Sequence, residues 1–209
     1  MDTPSTLADN PRSSVNEHIA ARLRALRDAR GVSLAALAER TGVSRSMLSL
    51  IERGESSPTA TVLEKIATGL SVPLAELFSP VPTTDATPPS PLRRAAEHVV
   101  WRDPASGYQR TEVSPAGATD FARIVDVSFP AGAHIAFDTT HYDAPVHQQV
   151  WMLEGAMHIR HGDDTYELSV GDTLAFLLDR PTAFHNPTRS EARYAVVIVP
   201  SAASRPRLP

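Results

Sequence analysis

The 209-residue sequence contains no cysteine, so neither a disulfide nor a thiolate metal cluster can stabilise it. It also lacks the run of roughly 20 apolar residues that a membrane helix needs. Its first residues, MDTPSTLADNPRSS, contain no apolar core of a secretory signal. These absences predict a soluble protein of the reducing cytoplasm, without a membrane partner.

An overall excess of positive charge is missing as well, because the formal net charge is −4. Between Arg12 and Arg53, however, eight arginines stand against four acidic residues. A local excess of this kind attracts phosphates, but a solvated helical surface gives the same count. Charge alone therefore does not predict a nucleic-acid partner.

The chain is long enough for two small domains, each with its own core. A stretch with five prolines, SPVPTTDATPPSP (79–91), predicts an extended linker. Apolar residues recur at helical spacing before it, whereas short strand-like runs separated by Gly, Asp and Pro follow it. We therefore predict an all-α domain over 15–78, an all-β domain over 92–200, and disordered tails at 1–14 and 201–209.

Capping and stop signals divide the helical half into five expected short helices. Ser14, with Glu17 three residues later, has the pattern of a capping box. Serine can cap a helix, proline can open one, and glycine can end one. The expected starts are Ser14, Ser33, Ser44, Pro58 and Pro73, and the first four helices are expected to stop at or near Gly31, Gly42, Gly54 and Gly69.

The stretch SLAALAERTGVSRSMLSLIERGESSPTATVLEKIATGLSV resembles the helix-turn-helix domain of the XRE family, the phage-repressor and Cro type of transcription factor. The residues fit this fold physically. Ala38 is small where two helices would cross, Gly42 permits a tight turn, and Leu48 and Ile51 share one face of the third helix.

The resemblance assigns DNA contacts to the side of the third helix opposite Leu48 and Ile51. Arg45, Ser46, Ser49 and Leu50 match positions that contact base edges, and Ser44 lies on the same open side. Ser33 and Arg53 match positions that hold phosphates. The alternative is that these side chains are simply solvated.

Three further positions bear on the resemblance. Arg27 and Glu52 match an ion pair that ties the first helix to the end of the recognition helix, which we interpret as structural. Leu34 departs from the pattern, because many phage repressors place a DNA-contacting Gln there. That one contact is therefore not expected.

The β half resembles a cupin, a double-stranded β-helix or jelly-roll barrel whose two motifs ordinarily supply three His and one Glu to a metal. In HYDAPVHQQVWMLEG (141–155) the spacing of the first motif is kept, but only His141 retains the ligand type. Asp143 stands at a His position and Gln148 at the Glu position. In the second motif, counted from Gly171, Thr182 stands at the last His position and Asn186 at the Asn position.

The residue types at these positions are poor ligands for a transition metal. Strand alternation also turns His147 and His185 away from the ligand face, unless a bulge reverses it locally. We therefore expect neither a metal nor another cofactor. His158 and His161, which flank a turn at Gly162 and Asp163, are expected to be exposed.

Polar groups inside an apolar barrel need partners, and a bound small molecule would supply them. The alternative is that they are relics in a barrel that only dimerises. The expected effector pocket consists of His141, Asp143, Gln148, Val150, Met152, Thr182 and Phe184.

The combined prediction is a non-enzymatic transcriptional regulator that binds double-stranded operator DNA as a homodimer and senses a small-molecule effector. Two copies are expected because a single short reading helix contacts too few bases. One rival is a metal-dependent cupin oxygenase or isomerase that carries a DNA-binding domain. A second is an adaptor that binds protein rather than DNA.

Overall fold

The computed structural model describes both halves of the chain, in residues 11–79, 81, 90–115, 122–139 and 145–200. Most of the proline-rich stretch lies outside these ranges, as do His141, Asp143, the carboxy-terminal tail and the first ten residues. The disorder expected of the tails therefore stays a prediction, and so does the extended form expected of the linker.

Four α-helices and one 3₁₀ helix form the described part of the helical half. They are α1 (Pro11–Ala29), α2 (Leu34–Thr41), α3 (Arg45–Glu52), α4 (Ala60–Gly69) and the 3₁₀ helix Leu74–Phe78. The expectation of five α-helices is therefore wrong at the last element. That segment has only five residues, and its backbone N–H groups donate to carbonyls three residues earlier. These hydrogen bonds run from Glu76 N to Pro73 O (2.8 Å) and from Ser79 N to Glu76 O (3.2 Å).

The helix-turn-helix boundaries are confirmed. Ser33 Oγ accepts a hydrogen bond from Ala36 N at the start of α2, and Ser44 Oγ accepts one from Met47 N at the start of α3. Gly42 ends α2 in the left-handed region (φ +66°), which a residue with a β-carbon rarely adopts. These local signals fix the short turn between the two helices.

Two expected helix starts are wrong. α1 begins at Pro11, so Ser14 lies within the helix, and residues 11–14 are helical rather than part of a tail. α4 begins after Thr59 rather than at Pro58, because the Thr59 hydroxyl accepts a hydrogen bond from Val62 N. In both cases a competing start signal within a few residues decides the boundary.

The α2 and α4 helices pack closely where α4 ends. A β-carbon on Gly69 would lie 2.4 Å from Thr41 Cγ2 and 3.4 Å from Leu37 Cδ1. Glycine is therefore required at this position by the close approach of the two helices. The contact ties the first helix of the helix-turn-helix unit to α4.

Within the described residues, ten antiparallel strands form the two sheets of the β half. The six-stranded sheet has the order β1-β2-β3-β10-β5-β8, and the four-stranded sheet has the order β4-β9-β6-β7. Their inner faces meet, as shown by Phe184 and Tyr194, whose rings stack with centroids 6.1 Å apart. The strands are β1 Val99–Arg102, β2 Gln109–Glu112, β3 Arg123–Phe129, β4 His134–Phe137, β5 Val146–Glu154, β6 Ala156–His161, β7 Asp164–Ser169, β8 Thr173–Leu177, β9 Thr182–His185 and β10 Ala192–Pro200.

Strand alternation places the inward and outward rows as expected. Val150 and Met152 are buried along the inner side of β5, whereas His147 is exposed. On the four-stranded sheet, His185 lies in an outer row, with its ring centroid 6.1 Å from that of His134 and 5.8 Å from that of His158. The expected outward orientation of His147 and His185 is confirmed.

His161 is buried, so its expected exposure is wrong. It continues the inward row of Met157 and Ile159 on β6, and its Nδ1 lies 3.1 Å from Thr182 Oγ1. Its Nε2 lies 3.4 Å from Asp179 Oδ1. Alternation along the strand outweighs the proximity of the hairpin turn.

The two halves share one continuous core instead of two separate ones. Phe78 from the 3₁₀ helix packs against Trp101 of β1, with ring centroids 5.7 Å apart. Asp103, just after β1, accepts a hydrogen bond from Ala60 N at the first turn of α4 (3.0 Å). Barrel residues therefore contact the helix that supports the helix-turn-helix unit, a contact that the sequence does not indicate.

A second interdomain contact is an ion-pair network centred on Glu76. Its carboxylate lies 2.6 Å from Arg22 Nη2 of α1 and 2.9 Å from Arg123 Nη2 of β3. Arg123 also donates to the carbonyl of Ala75 and to the Ser79 hydroxyl. Because these side chains are half-buried, the network fixes the helical half in one orientation on the barrel.

Candidate nucleic-acid interface and barrel cavity

The α3 helix presents a polar side to solvent and an apolar side to the core. Leu48 and Ile51 are 0% and 1% exposed, and both belong to the core. The residues of the expected base-reading side lie opposite: Ser44, Arg45 and Ser46 are exposed, and Ser49 and Leu50 are half-buried. The exposed Met47 lies in the same segment and was missed from the sequence, because an apolar residue suggests core.

The two expected phosphate contacts are exposed near opposite ends of the helix-turn-helix unit. Ser33 already accepts a hydrogen bond from its own helix, as described above. Arg53 donates to both carboxylate oxygens of Glu55 (2.8 Å each) and to Ser49 Oγ (2.6 Å). The hydrogen bond from Arg53 lowers the pKa of Glu55. Arg53 would therefore have to exchange Glu55 for a phosphate.

The ion pair expected between Arg27 and Glu52 is confirmed. Arg27 Nε lies 2.6 Å from Glu52 Oε1, and Arg27 Nη2 lies 3.1 Å from Oε2. Arg27 Nη1 also donates to the carbonyl of Val32 (3.0 Å). Hydrogen bonding to Glu52 raises the pKa of Arg27. The pair fixes the end of α3 to α1.

A cavity of about 50 Å³ lies between the barrel and the helical half. One water needs roughly 10–15 Å³, so the cavity has room for a small molecule. Both halves line it. The lining residues are Glu64, Pro73, Leu74 and Ala75 of the helical half, and Tyr108, Arg110, Phe129, Phe137, Thr139, Gln148, Leu178, Thr182, Phe184, Tyr194, Val196 and Ile198 of the barrel.

Three residues of the expected effector pocket, namely Gln148, Thr182 and Phe184, line this cavity. Val150 and Met152 are core residues on the same inner side of β5 and are not among the residues that line it. The cavity therefore lies towards the Gln148 end of β5.

Thr182 is already engaged by the protein. Its Oγ1 lies 3.1 Å from His161 Nδ1 and donates to the Arg180 carbonyl (3.2 Å). At the neighbouring wall, the Thr139 hydroxyl donates to the same carbonyl. Of the expected polar pocket residues, Gln148 therefore has the greater freedom to meet a ligand, being half-buried at the cavity wall.

Sequence reasoning missed Arg110, the cationic residue among those lining the cavity. It is 5% exposed, and its Nε and Nη2 have no hydrogen-bond partner. Its guanidinium lies over the Phe78 ring, 5.3 Å from the centroid. Arg110 belongs to the strand QRTE, whose polar composition suggests an exposed edge, so no local signal indicated its burial.

Two other buried groups near Arg110 have raised pKa values. Burial raises the pKa of Glu112, opposed by the positive charges of Arg110, Arg123 and Arg93. Burial also raises the pKa of the Tyr194 phenol well above its usual value. Both shifts reflect the low polarity of this part of the barrel, where the neutral forms are favoured.

Within the described residues, no three His, Cys, Asp or Glu side chains are placed to hold a metal ion. His141 and Asp143, the first two positions of the cupin motif, lie outside those residues. Metal analysis is therefore the direct test of the expected metal-free barrel.

Comparison with known proteins defines the helical half first. Residues 23–77 match HTH_3, the helix-turn-helix family. Residues 23–77 thus form a helix-turn-helix domain of the XRE type. No helix in the described ranges is long and apolar enough to cross a membrane.

One curated protein and two solved structures illustrate what this chain is similar to. The HTH-type transcriptional regulator SutR of Escherichia coli K12 is 60% identical over 58 residues, which are 28% of this chain and 33% of SutR, so the chain spans about a third of that relative. A crystal structure of an HTH_3 family transcriptional regulator from Vibrio cholerae is similar over 94% of this chain and 99% of its own (27% identity, TM-score 0.68). The cupin domain of an XRE family transcriptional regulator from Enterobacter cloacae matches 48% of this chain and 98% of its own (17% identity, TM-score 0.41).

Proposed function

We propose that this chain is a sequence-specific DNA-binding transcriptional regulator whose barrel senses a small-molecule effector without a catalytic metal. The observation that carries the proposal is the two-sided α3 helix. Its apolar side is buried, its polar side is exposed, and the Arg27–Glu52 pair fixes its end. The relatives named as transcriptional regulators support the same conclusion.

In the proposed complex α3 enters the major groove. Arg45 can donate two hydrogen bonds to guanine, the serine hydroxyls can pair with either donors or acceptors, and Leu50 can contact a thymine methyl. Ser33 and Arg53 contact phosphates and set the orientation of the helix. Two copies would place two such helices on the half-sites of a two-fold operator.

The cavity offers a route from effector to DNA, because both halves of the chain line it. Glu64 belongs to α4, Pro73 precedes the 3₁₀ helix, and Leu74 and Ala75 are its first two residues. A ligand that contacts these residues favours one placement of α4 on the barrel. Since α4 packs against α2 at Gly69, a change in that placement would reach the helix-turn-helix unit.

The base-reading role of Arg45 is testable with DNA selected by the protein from a random pool. Arg45→Ala is expected to cost about 1–3 kcal/mol on the selected site and to relax the preference at one base pair of each half-site. Arg53→Ala is the matched control. As a phosphate contact, Arg53 should weaken binding to selected and random DNA equally. Equal weakening by Arg45→Ala as well would contradict base reading.

Metal analysis tests the other half of the proposal. Freshly purified protein should contain no stoichiometric transition metal, and a chelator should leave its melting temperature unchanged. A positive control restores the cupin ligands together, as Asp143→His, Gln148→Glu and Thr182→His, which should create metal binding. Stoichiometric metal in the unmodified protein, lost on substitution of His141, would overturn the metal-free sensor and favour a metal-dependent cupin enzyme.

A further inference from the structure

We infer that the cavity between the two halves binds the carboxylate of a small organic acid, and that Arg110 is the residue that holds it. The inference rests on the proposed function, because it names the chemical class of the effector. Arg110 was not among the residues expected to line an effector pocket.

The first reason is that a buried cation has unused hydrogen-bond donors. Burying a charged group without hydrogen-bond partners is costly, and proteins normally pair such groups. Arg110 is 5% exposed, yet its Nε and Nη2 have no hydrogen-bond partner. The Nε–H and one N–H of Nη2 lie on one edge of the guanidinium and form the fork that a carboxylate accepts in a bidentate pair.

The neighbouring acidic residues do not satisfy these donors. Glu112, two residues along the same strand, is also buried, and its Oε2 likewise has no hydrogen bond. Glu64 is the acidic residue among those lining the cavity, and neither Nε nor Nη2 of Arg110 forms a hydrogen bond with it. Burial raises the pKa of Glu112, opposed by the positive charge of Arg110.

The position of Arg110 is fixed from both sides. Its strand β2 lies between β1 and β3, where Arg110 pairs with Trp101 and Val127. The Phe78 ring covers the guanidinium from the helical half. The guanidinium is therefore held at the contact between the halves, with the cavity beside it.

The remaining cavity wall indicates the other end of the ligand. It is mainly apolar, with Phe137, Leu178, Phe184, Val196 and Ile198 among its residues. With a volume of about 50 Å³, the cavity exceeds the room that one water needs and leaves space for a carboxylate with a short apolar tail. The expected class is therefore a short-chain monocarboxylic acid.

The test compares carboxylates with their neutral amides on the full chain. The probes are acetate, propionate, butyrate and pyruvate, paired with acetamide, propionamide, butyramide and pyruvamide, with ionic strength held constant by sodium chloride. At tenfold above Kd a carboxylate should raise the melting temperature by about 3–6 °C. The matching amide should produce less than half of that shift. An equal shift from the amide, or no shift from any of the four acids, would overturn the inference.

Two variants locate the effect. Arg110→Met should abolish the carboxylate shift, whereas Arg193→Met should retain it, because Arg193 is exposed and pairs with Asp126 and Glu154 of the six-stranded sheet. A shift that persists in Arg110→Met would overturn the assignment to Arg110. If Arg110→Met does not fold, the comparison of acid with amide in the unsubstituted protein still decides the ligand class.

A separate measurement distinguishes this inference from the proposed function. Binding to the selected DNA is measured with and without the acid that gives the largest shift. An acid that binds at Arg110 but leaves DNA affinity unchanged supports the inference and overturns the sensor role. If the unsubstituted protein shows no sequence-specific DNA binding, the proposed regulator function is wrong. The comparison of melting temperatures with acids and amides would still decide the ligand class.

Discussion

Arg27 and Arg110 are largely buried arginines in the two halves of the chain, and they differ in their partners. Arg27 donates two hydrogen bonds to the Glu52 carboxylate and a third to the Val32 carbonyl. Arg110 has two N–H groups without a partner and an aromatic ring over its face. The protein supplies hydrogen-bond partners for Arg27, but it leaves two nitrogens of Arg110 without one.

This difference separates a structural role from a binding role. A buried ion pair with all its hydrogen bonds holds two elements together, even where an apolar pair would be as stable. A buried cation with unused hydrogen-bond donors reduces the stability of the protein. Such a cost is typical of a site where a ligand supplies the missing hydrogen-bond partner. Substitution by methionine, which has a similar length and no charge, compares the two directly.

Arg27→Met should give the largest effect. It leaves the Glu52 carboxylate, which is 6% exposed, without its main partner, and we expect a loss of about 3–5 kcal/mol in the free energy of unfolding. Denaturant unfolding of the full chain measures it. Arg30→Met is the control, because Arg30 is exposed, and it should change stability by no more than about 0.5 kcal/mol. A loss below about 1 kcal/mol for Arg27→Met would remove the contrast.

Arg110→Met should have a much smaller effect in the absence of ligand. It removes an incompletely paired charge and retains apolar contact with Phe78, so we expect stability within about 1 kcal/mol of the unsubstituted protein, or above it. The same unfolding experiment applies. A loss as large as that of Arg27→Met would mean that the protein itself supplies partners to Arg110.

Glu112→Gln tests the surroundings of Arg110 through the pH dependence of the free energy of unfolding. Because burial raises the pKa of Glu112, the folded chain binds a proton more readily than the unfolded chain. The contribution of Glu112 to the free energy of unfolding is therefore most favourable when the pH is below its ordinary pKa of 4.5. This contribution is lost as the pH rises from there through the raised pKa. The variant should lose this decline, so its stability relative to the unsubstituted protein should increase with pH across that window. Parallel pH profiles would show that Glu112 ionises normally.

The helix-turn-helix unit was predictable because its signals are local. Ser33, Gly42 and Ser44 each act within four residues, and the apolar spacing of Leu48 and Ile51 fixes the buried side of α3. Where two such signals compete, as at Pro58 and Thr59, the boundary was missed. The 3₁₀ helix was taken as an α-helix because composition does not distinguish the two over five residues.

The barrel was predictable in its alternation but not in its contacts. The inward row of Gln148, Val150 and Met152 follows from strand geometry, and the same rule applied to β6 would have placed His161 inside. The contact of Phe78 with Trp101 and the burial of Arg110 could not be predicted, because they arise only when distant segments pack together. Part of the cavity was therefore foreseen, while its cation was not.

The hydrogen bond from Ala60 N to Asp103 has a practical consequence for dissecting this protein. The same carboxylate orders the turn after β1 through Ser106 N (2.9 Å) and covers the positive end of α4. A fragment that stops before residue 90 would lose this acid together with the aromatic cover on Phe78. We therefore expect that the helical half does not fold as an independent unit, and that fusions should transfer it together with the β1–β2 hairpin.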